Sequence, residues 1–202
     1  MKKLLAILLS ALCVMSMAAC TKKEEAPPIE TPPVTEQPTQ PIAPNPDTQT
    51  DIKADPKLVE AKDAVKKALG EGYIPSMNIE SKMLSELYGV NMENVDSFVA
   101  EGPAMSNNVD AFIGVKAKSG KAADVESDLK KFRDYLINDS MQYPSNLAKV
   151  NASQVITKGD YVFFVMVGAM NDNMDASEAD QTKFAQDEMK KAVDALDTVF
   201  KK

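Results

Sequence analysis

The sequence predicts an α+β domain: a four-stranded antiparallel sheet in the order β-β-α-β-β-α, with helices packed on it and one or two short helices before it. Two observations support this. Four short stretches, "NVDSFVA", "VDAFIGVKAK", "KVNASQVIT" and "YVFFVMVG", have the length and composition of strands. A segment with helical periodicity follows each pair of strands. Two hairpins, each followed by a helix, are typical of one antiparallel sheet with helices on it.

The first helix is predicted at Pro56, because Asp55 is a good N-cap and proline is favoured at the first helical position. Its apolar positions recur at helical spacing in "KLVEAKDAVKKALG", and Gly70 ends it. A second short helix fits "ESKMLSELYG". The first helix is either a linker over residues 56–75, followed by a globular domain over 76–202, or the opening layer of that domain. The sequence leaves both alternatives open.

The first predicted hairpin joins "NVDSFVA" to "VDAFIGVKAK" through the turn residues of "PAMSNN". In the second strand apolar and polar residues alternate, which predicts one buried and one exposed face. The apolar face carries Ala111, Ile113, Val115 and Ala117, and the polar face carries Asp110, Lys116 and Lys118.

The second half predicts a helix, a loop, a hairpin and a last helix. "KAADVESDLKKFRDYLIND" has an apolar stripe at helical spacing, and "MQYPSN" is predicted as a loop broken by Pro144. A turn at residues 158–160 joins the last two strands, and "YVFFVMVG" is apolar on both faces, which predicts a central strand. Ser177 and Asp180 resemble a capping box at the start of the last helix. If both long helices cover one face, the amino-terminal helices or a second subunit must cover the other.

The first twenty residues, "MKKLLAILLSALCVMSMAAC", read as a signal peptide that ends before a cysteine. A basic start, a short apolar run and two alanines before Cys20 resemble a bacterial lipobox, with Met17 where leucine is usual. We therefore expect a signal peptide over residues 1–19 and lipid, including palmitate, on Cys20. Cys13 is a poor alternative because the bulky Leu12 precedes it.

Residues 20–55 are rich in proline, threonine, glutamine and glutamate and contain few apolar side chains. Such a segment cannot bury enough surface to offset its ordering entropy. It is predicted to be a disordered, semi-extended stalk with a reach on the order of 100 Å. Such a stalk would hold the domain away from the outer face of the cytoplasmic membrane. The alternative is that the segment is a ligand for a proline-binding module.

The composition removes several kinds of chemistry. Histidine is absent, which takes away the commonest general base and transition-metal ligand. Lipid on Cys20 would consume the only thiol that remains after signal cleavage. The sequence contains no glycine-rich phosphate loop. We therefore predict no catalytic residue, no metal ligand and no cofactor, and we expect that the protein is not an enzyme.

Three weaker patterns each have a functional and a structural interpretation. Ser127 and Lys130 have the serine–lysine spacing of penicillin-recognising enzymes but lack the accompanying motifs, so we predict a solvated helix face. Four clustered acidic residues suggest calcium, or only a favourable interaction with a helix dipole: Asp172, Asp175, Glu178 and Asp180. Methionines are frequent, Met170 among them, and we interpret them mostly as core residues, with a peptide- or protein-binding surface as the alternative.

The formal charge is −7, so nucleic acid is an unlikely partner on electrostatic grounds. The segments "ELYGV", "VDAFIGVKAKSGKAADVESDL", "MQYP" and "GDYVFFVMVG" resemble the uncharacterised family numbered 4358 among the domains of unknown function, over residues 79–200. The resemblance implies a surface lipoprotein of a Gram-positive bacterium and supplies no activity or catalytic residues.

The main hypothesis is a lipid-anchored extracytoplasmic protein that acts as a binding or structural module of the cell envelope. Its partners would be the membrane, through Cys20, and an envelope protein or a second copy of itself. The alternatives are an envelope hydrolase that uses carboxylate, serine or lysine chemistry, and a small-ligand or calcium-binding module.

Overall fold

The computed structural model describes residues 54–173 and 175–201. The fold is α+β, with a single antiparallel sheet, as predicted, but the sheet has five strands instead of four. The predicted signal peptide, Cys20 and the stalk up to residue 53 lie outside the described residues. The elements in chain order are α1 (Pro56–Leu69), β1 (Met77–Asn78), α2 (Ser81–Glu86), β2 (Val95–Gly102), β3 (Ala111–Ala117), α3 (Ala122–Asn138), α4 (Pro144–Ala152), β4 (Gln154–Lys158), β5 (Tyr161–Met166) and α5 (Glu178–Phe200).

The strand order is β1-β2-β3-β5-β4, and every neighbouring pair is antiparallel. Both predicted hairpins are confirmed, β2 with β3 and β4 with β5, and β3 pairs with β5 to join them. β5 is therefore an internal strand, as its two apolar faces predicted. The fifth strand, β1, pairs Met77 with Gly102 at the edge of β2. Two residues are too short to produce an alternating pattern, which is why the sequence analysis missed it.

The segment before β4 differs from the prediction. Residues 144–152 form α4, whereas the sequence analysis placed a loop up to Asn146 and a strand from Lys149. Pro144 occupies the first turn of this helix, where its missing N–H costs nothing. The proline that was read as a loop breaker therefore starts a helix, and the strand begins only at Gln154.

Helices cover both faces of the sheet. One face packs against α2 and α3, with Leu84 and Leu129 completely buried, and it includes the predicted apolar face of β3. The other face packs against α1 and α5, where Leu58 and Leu196 are completely buried. The long helices α3 and α5 thus lie on opposite faces, and the chain's own amino-terminal helices complete the two layers.

α1 belongs to the domain. Asp55 caps it by accepting a hydrogen bond from the Lys57 N–H at 2.8 Å, as predicted. Leu58, Ala61 and Val65 form the buried stripe of the helix, and all three are completely inaccessible to solvent. This buried stripe settles the alternative that the sequence left open, because a linker helix would expose it. The domain therefore includes residues 56–75 and does not start at residue 76.

The sheet has two distinct ends. At the cap end, the Asp55 carboxylate meets Lys116 of β3 at 3.1 Å and the Tyr161 hydroxyl of β5 at 3.3 Å. At the loop end, β3 begins at Ala111 and β5 ends at Met166, and these two residues pair. The described part of the chain begins at the cap end, at residue 54. Within the described residues, no helix has the length and apolar character needed to span a bilayer.

Candidate functional site

Exposed apolar side chains are concentrated at the loop end. Single exposed apolar residues are ordinary on protein surfaces, but several on one side are a signal of binding. Met141 is fully exposed, and Tyr143 is 62% exposed. The exposed apolar residues on elements that meet at this end, which we call the loop-end surface, are Met77, Met105, Tyr135, Met141, Tyr143, Leu147 and Met170.

Hydrogen bonds to backbone carbonyls hold the segments of the loop-end surface together. The side-chain amide of Asn146, on α4, donates to the carbonyl of Asn107 in the β2–β3 loop at 3.1 Å. Arg133, on α3, donates from Nε to the carbonyl of Ser153 at 2.7 Å, just before β4. α4 therefore lies across the loop end and connects the first hairpin with α3.

A buried ion pair lies in the same region. The ammonium of Lys149 on α4 is 2.8 Å and 2.7 Å from the two carboxylate oxygens of Asp110, just before β3. The two side chains are only 4% and 2% exposed. Burial raises the pKa of Asp110 above its ordinary value, although the Lys149 ammonium opposes that rise. The pair fixes the start of β3 to α4.

The sequence analysis placed Asp110 on the exposed polar face of β3, and this was wrong. Asp110 is 1% exposed, and its own N–H donates to the Asn108 side chain at 2.7 Å. The face of β3 predicted to be exposed is itself covered by α1 and α5, and Phe112 on that face is completely buried. No local pattern identifies Lys149 as the partner of Asp110, because the two residues are 39 positions apart.

The backbone that follows β5 is fixed to α5. The Glu188 carboxylate accepts a hydrogen bond from the Ala169 N–H at 3.1 Å and also pairs with Lys191. Gly168 has a φ of 123°, and a Cβ added there would lie 2.6 Å from the Cβ of Glu188. Only glycine fits this approach. Met170 follows directly, so its position on the loop-end surface is held by the contact between Ala169 and α5.

A shallow cleft of about 20 Å³ lies between α4, α5 and the segment after β5. Its lining includes Ser145, Lys149, Met170 and Gln181. That volume holds roughly one water molecule, whereas small-molecule sites run to about 300–1,000 Å³. The cleft suits a surface that receives a side chain of a partner, and it is too small to enclose a ligand.

Carboxylates without ion-pair partners among the described residues border the loop-end surface. Asp139 precedes Met141 in the α3–α4 connection, and Asp172 and Asp175 follow Met170. All three are exposed. The nearby cations are engaged, because Lys149 pairs with Asp110 and Arg133 donates to backbone carbonyls. The rim of this surface is therefore negatively charged.

The patterns singled out in the sequence have simple structural roles. Ser127 is exposed, and Lys130 pairs with Glu126 on the same helix, so the predicted solvated face is confirmed. Ser177 caps α5: its Oγ accepts from the Asp180 N–H at 3.2 Å and donates to the Asp180 carboxylate at 2.7 Å. Within residues 54–173 and 175–201, no three acidic, cysteine or histidine residues are grouped to hold a metal ion. Cys20 lies outside the described residues.

The protein is a small α+β domain with a layer of helices on each face of one sheet. Its candidate site is an exposed surface and not a deep cleft. The chain belongs to the family described as Domain of unknown function (DUF4358), whose model matches residues 58–167, more than half of the chain. The match begins in α1 and ends after β5, whereas the resemblance was expected over residues 79–200. No curated protein and no solved structure matches the chain.

Proposed function

We propose that the protein is a lipid-anchored binding module on the outer face of the cytoplasmic membrane of a Gram-positive bacterium. The observation that carries this proposal is the leader, whose apolar run ends on two alanines and Cys20. Lipid on that cysteine anchors a protein because each buried CH₂ contributes about 0.8 kcal/mol, and two acyl chains hold far better than one.

The arrangement of the domain supports this proposal. The chain from Cys20 enters the domain at the cap end, where Asp55 contacts β3 and β5. Most of the large exposed apolar side chains of the described residues, apart from Val59 and Leu87, lie at the loop end, which is the opposite end of the sheet. A domain attached by its cap end leaves the loop-end surface accessible to other envelope components.

The buried carboxylates of the described residues are all engaged in contacts within the fold, which supports a binding module over an enzyme that uses carboxylate chemistry. Glu101 is 8% exposed and is held by Lys62 at 2.6 Å and by the Tyr73 hydroxyl at 2.9 Å. Asp110 and Glu188 are engaged in the same way, by Lys149 and by the Ala169 N–H. Each of these carboxylates joins two elements of the fold. The envelope hydrolase stays the alternative prediction, and a screen against cell-wall fragments tests it.

The anchoring is tested by expressing Cys20→Ala in the native host and separating membranes from soluble material. We expect wild-type protein in the membrane fraction and the variant in the soluble or secreted fraction. Cys13→Ala is the matched control, because it removes the other cysteine of the leader and should stay with the membrane. Membrane retention of Cys20→Ala equal to that of wild type would refute the proposal.

A further inference from the structure

We infer that the loop-end surface binds a cationic amphipathic segment of another envelope protein: a segment with apolar side chains flanked by lysine or arginine. This inference deepens the proposed function and rests on it for the location of the partner. It is carried by two independent properties of the surface, which are its exposed apolar side chains and its exposed carboxylates, for which residues 54–173 and 175–201 supply no ion-pair partner.

The apolar side chains are of the types that favour protein contacts. Tyrosine and methionine are enriched at interfaces, and the flexible methionine side chain adapts to varied partners. Tyr143 and Met141 lie in the α3–α4 connection, and Leu147 lies one turn into α4 at 48% exposure. The connection and the first turn of the helix therefore present three exposed apolar side chains within seven consecutive residues.

The charge selects the partner. Asp139 lies two residues before Met141, and Asp172 lies two residues after Met170. The segment after β5 lines the shallow cleft together with Ser145 and Lys149 of α4, and Asp139 lies in the connection that leads into the same helix. Carboxylates at the rim of an apolar surface attract a basic partner and repel an acidic one, and exposed charges act over about 8 Å at physiological ionic strength.

The same charge argues against the other occupants. A second copy in a two-fold contact would bring identical carboxylates together. Nucleic acid and anionic lipid would be repelled as well. The chain's own residues 21–53 are a poor match, because Lys22 and Lys23 are followed directly by two glutamates and apolar residues are sparse.

The surface is formed in advance of binding. Asp110 and Lys149 fix α4 to the start of β3, and Asn146 binds the β2–β3 loop. Glu188 holds the segment that carries Met170. Because these contacts are already made, binding does not have to order the loop-end surface, and little conformational entropy is lost there. A short segment can therefore bind with only a few contacts.

The test uses the full lipidated chain in zwitterionic lipid nanodiscs and three designed 18-residue peptides. The first has leucines at helical spacing and lysines elsewhere, the second replaces each lysine with glutamate, and the third replaces each leucine with serine. Hydrogen exchange followed by mass spectrometry reports where each peptide protects the chain. We expect the leucine–lysine peptide alone to slow exchange at residues 139–147 and 169–178, with no change at the cap-end turn at residues 158–160.

Two variants sharpen the test. Asp139→Asn with Asp172→Asn should weaken binding of the leucine–lysine peptide about tenfold, whereas the matched cap-end control, Glu93→Gln with Asp160→Asn, should leave it unchanged. Met141→Ser with Tyr143→Ser should abolish the protection. All of these side chains are exposed, so each variant should fold.

Equal protection by the leucine–glutamate peptide, equal protection by the serine–lysine peptide, or no protection at the loop end would each overturn the inference. These failures are distinguishable from failure of the proposed function. Membrane anchoring is read from Cys20→Ala, and retention of that variant in the membrane would refute it. The peptide measurement can also be made on the full Cys20→Ala chain, so its outcome does not depend on the anchoring.

Discussion

Lys149 and Asp110 form the most deeply buried ion pair among the described residues, with the ammonium within 2.8 Å of both carboxylate oxygens. The pair joins α4 to the start of β3 beneath the loop-end surface. It is the contact on which the position of α4 most depends, because a buried charge without its partner is far more costly than a pair.

Replacement of one member of this pair should destabilise the protein strongly. We expect Lys149→Met to lower the free energy of unfolding by about 3–5 kcal/mol, since it leaves the Asp110 carboxylate buried without a cation. The double variant Asp110→Asn with Lys149→Met should recover part of this loss. Lys130→Met is the surface control and should cost under about 1 kcal/mol. Urea unfolding followed by circular dichroism measures all three; equal effects of Lys149→Met and Lys130→Met would contradict the structural role.

Gly168 should tolerate no side chain. Gly168→Ala places a Cβ 2.6 Å from the Cβ of Glu188 and adds the strain of a positive φ. We expect a loss of about 2–4 kcal/mol in the free energy of unfolding. Gly159→Ala is the control: Gly159 also has a positive φ, but an added Cβ meets no atom within 4 Å. It should cost about 1 kcal/mol, and a loss as large as that of Gly168→Ala would show that steric contact with α5 is unimportant.

The assignment of α1 to the domain is tested by its buried stripe. Leu58 is completely buried between α5 and the sheet, so Leu58→Ala should lower the free energy of unfolding by about 2–5 kcal/mol. The neighbouring Val59 is 36% exposed, and Val59→Ala should cost under about 1 kcal/mol. A single cooperative thermal transition with a lowered midpoint is expected for Leu58→Ala. An unchanged midpoint would indicate that α1 is a linker after all.

Asp55 should make the stability depend on pH in the acid range. Burial raises the pKa of Asp55, but the Lys116 ammonium and the Lys57 N–H outweigh it and hold that pKa below its ordinary value. The carboxylate therefore contributes stability that is fully present above about pH 4 and is lost as the pH falls through the lowered pKa.

Asp55→Asn keeps the helix cap and removes the charge, so it isolates this contribution. We expect a loss of about 0.5–1 kcal/mol at pH 7 that shrinks towards pH 2. Thermal unfolding of both proteins between pH 2 and 7 measures the difference. A difference that stays constant across this range would contradict the assigned ion pair.

Local signals in the sequence predicted much of the fold. Asp55 and Ser177 cap helices where expected, because capping depends on a few adjacent residues. The apolar face of β3 and the two apolar faces of β5 were also correct, but the other face of β3, predicted to be exposed, is buried. Both hairpins followed from turn residues between such strands.

The failures involve longer-range information. Nothing in the sequence of α3 or α5 specifies which face of the sheet each covers. Pro144 is compatible with both a loop and the first turn of a helix. In the helix, Val150 is buried and Lys149 pairs with Asp110, and both contacts depend on residues distant in the sequence. The loop-end surface was equally hidden, because the methionines read as core filler include Met170, which is 38% exposed. Exposure of a side chain depends on tertiary structure, which residue type alone does not give.

The central claim, that lipid on Cys20 holds this domain at the membrane, is tested most directly by mass spectrometry of protein purified from membranes. Trypsin should release an amino-terminal peptide that begins at Cys20 and ends at Lys22. We predict that this peptide carries a diacylglyceryl group on the cysteine sulfur and that no peptide from residues 1–19 is found. An unmodified Cys20 thiol in a chain that still begins at Met1 would contradict the account.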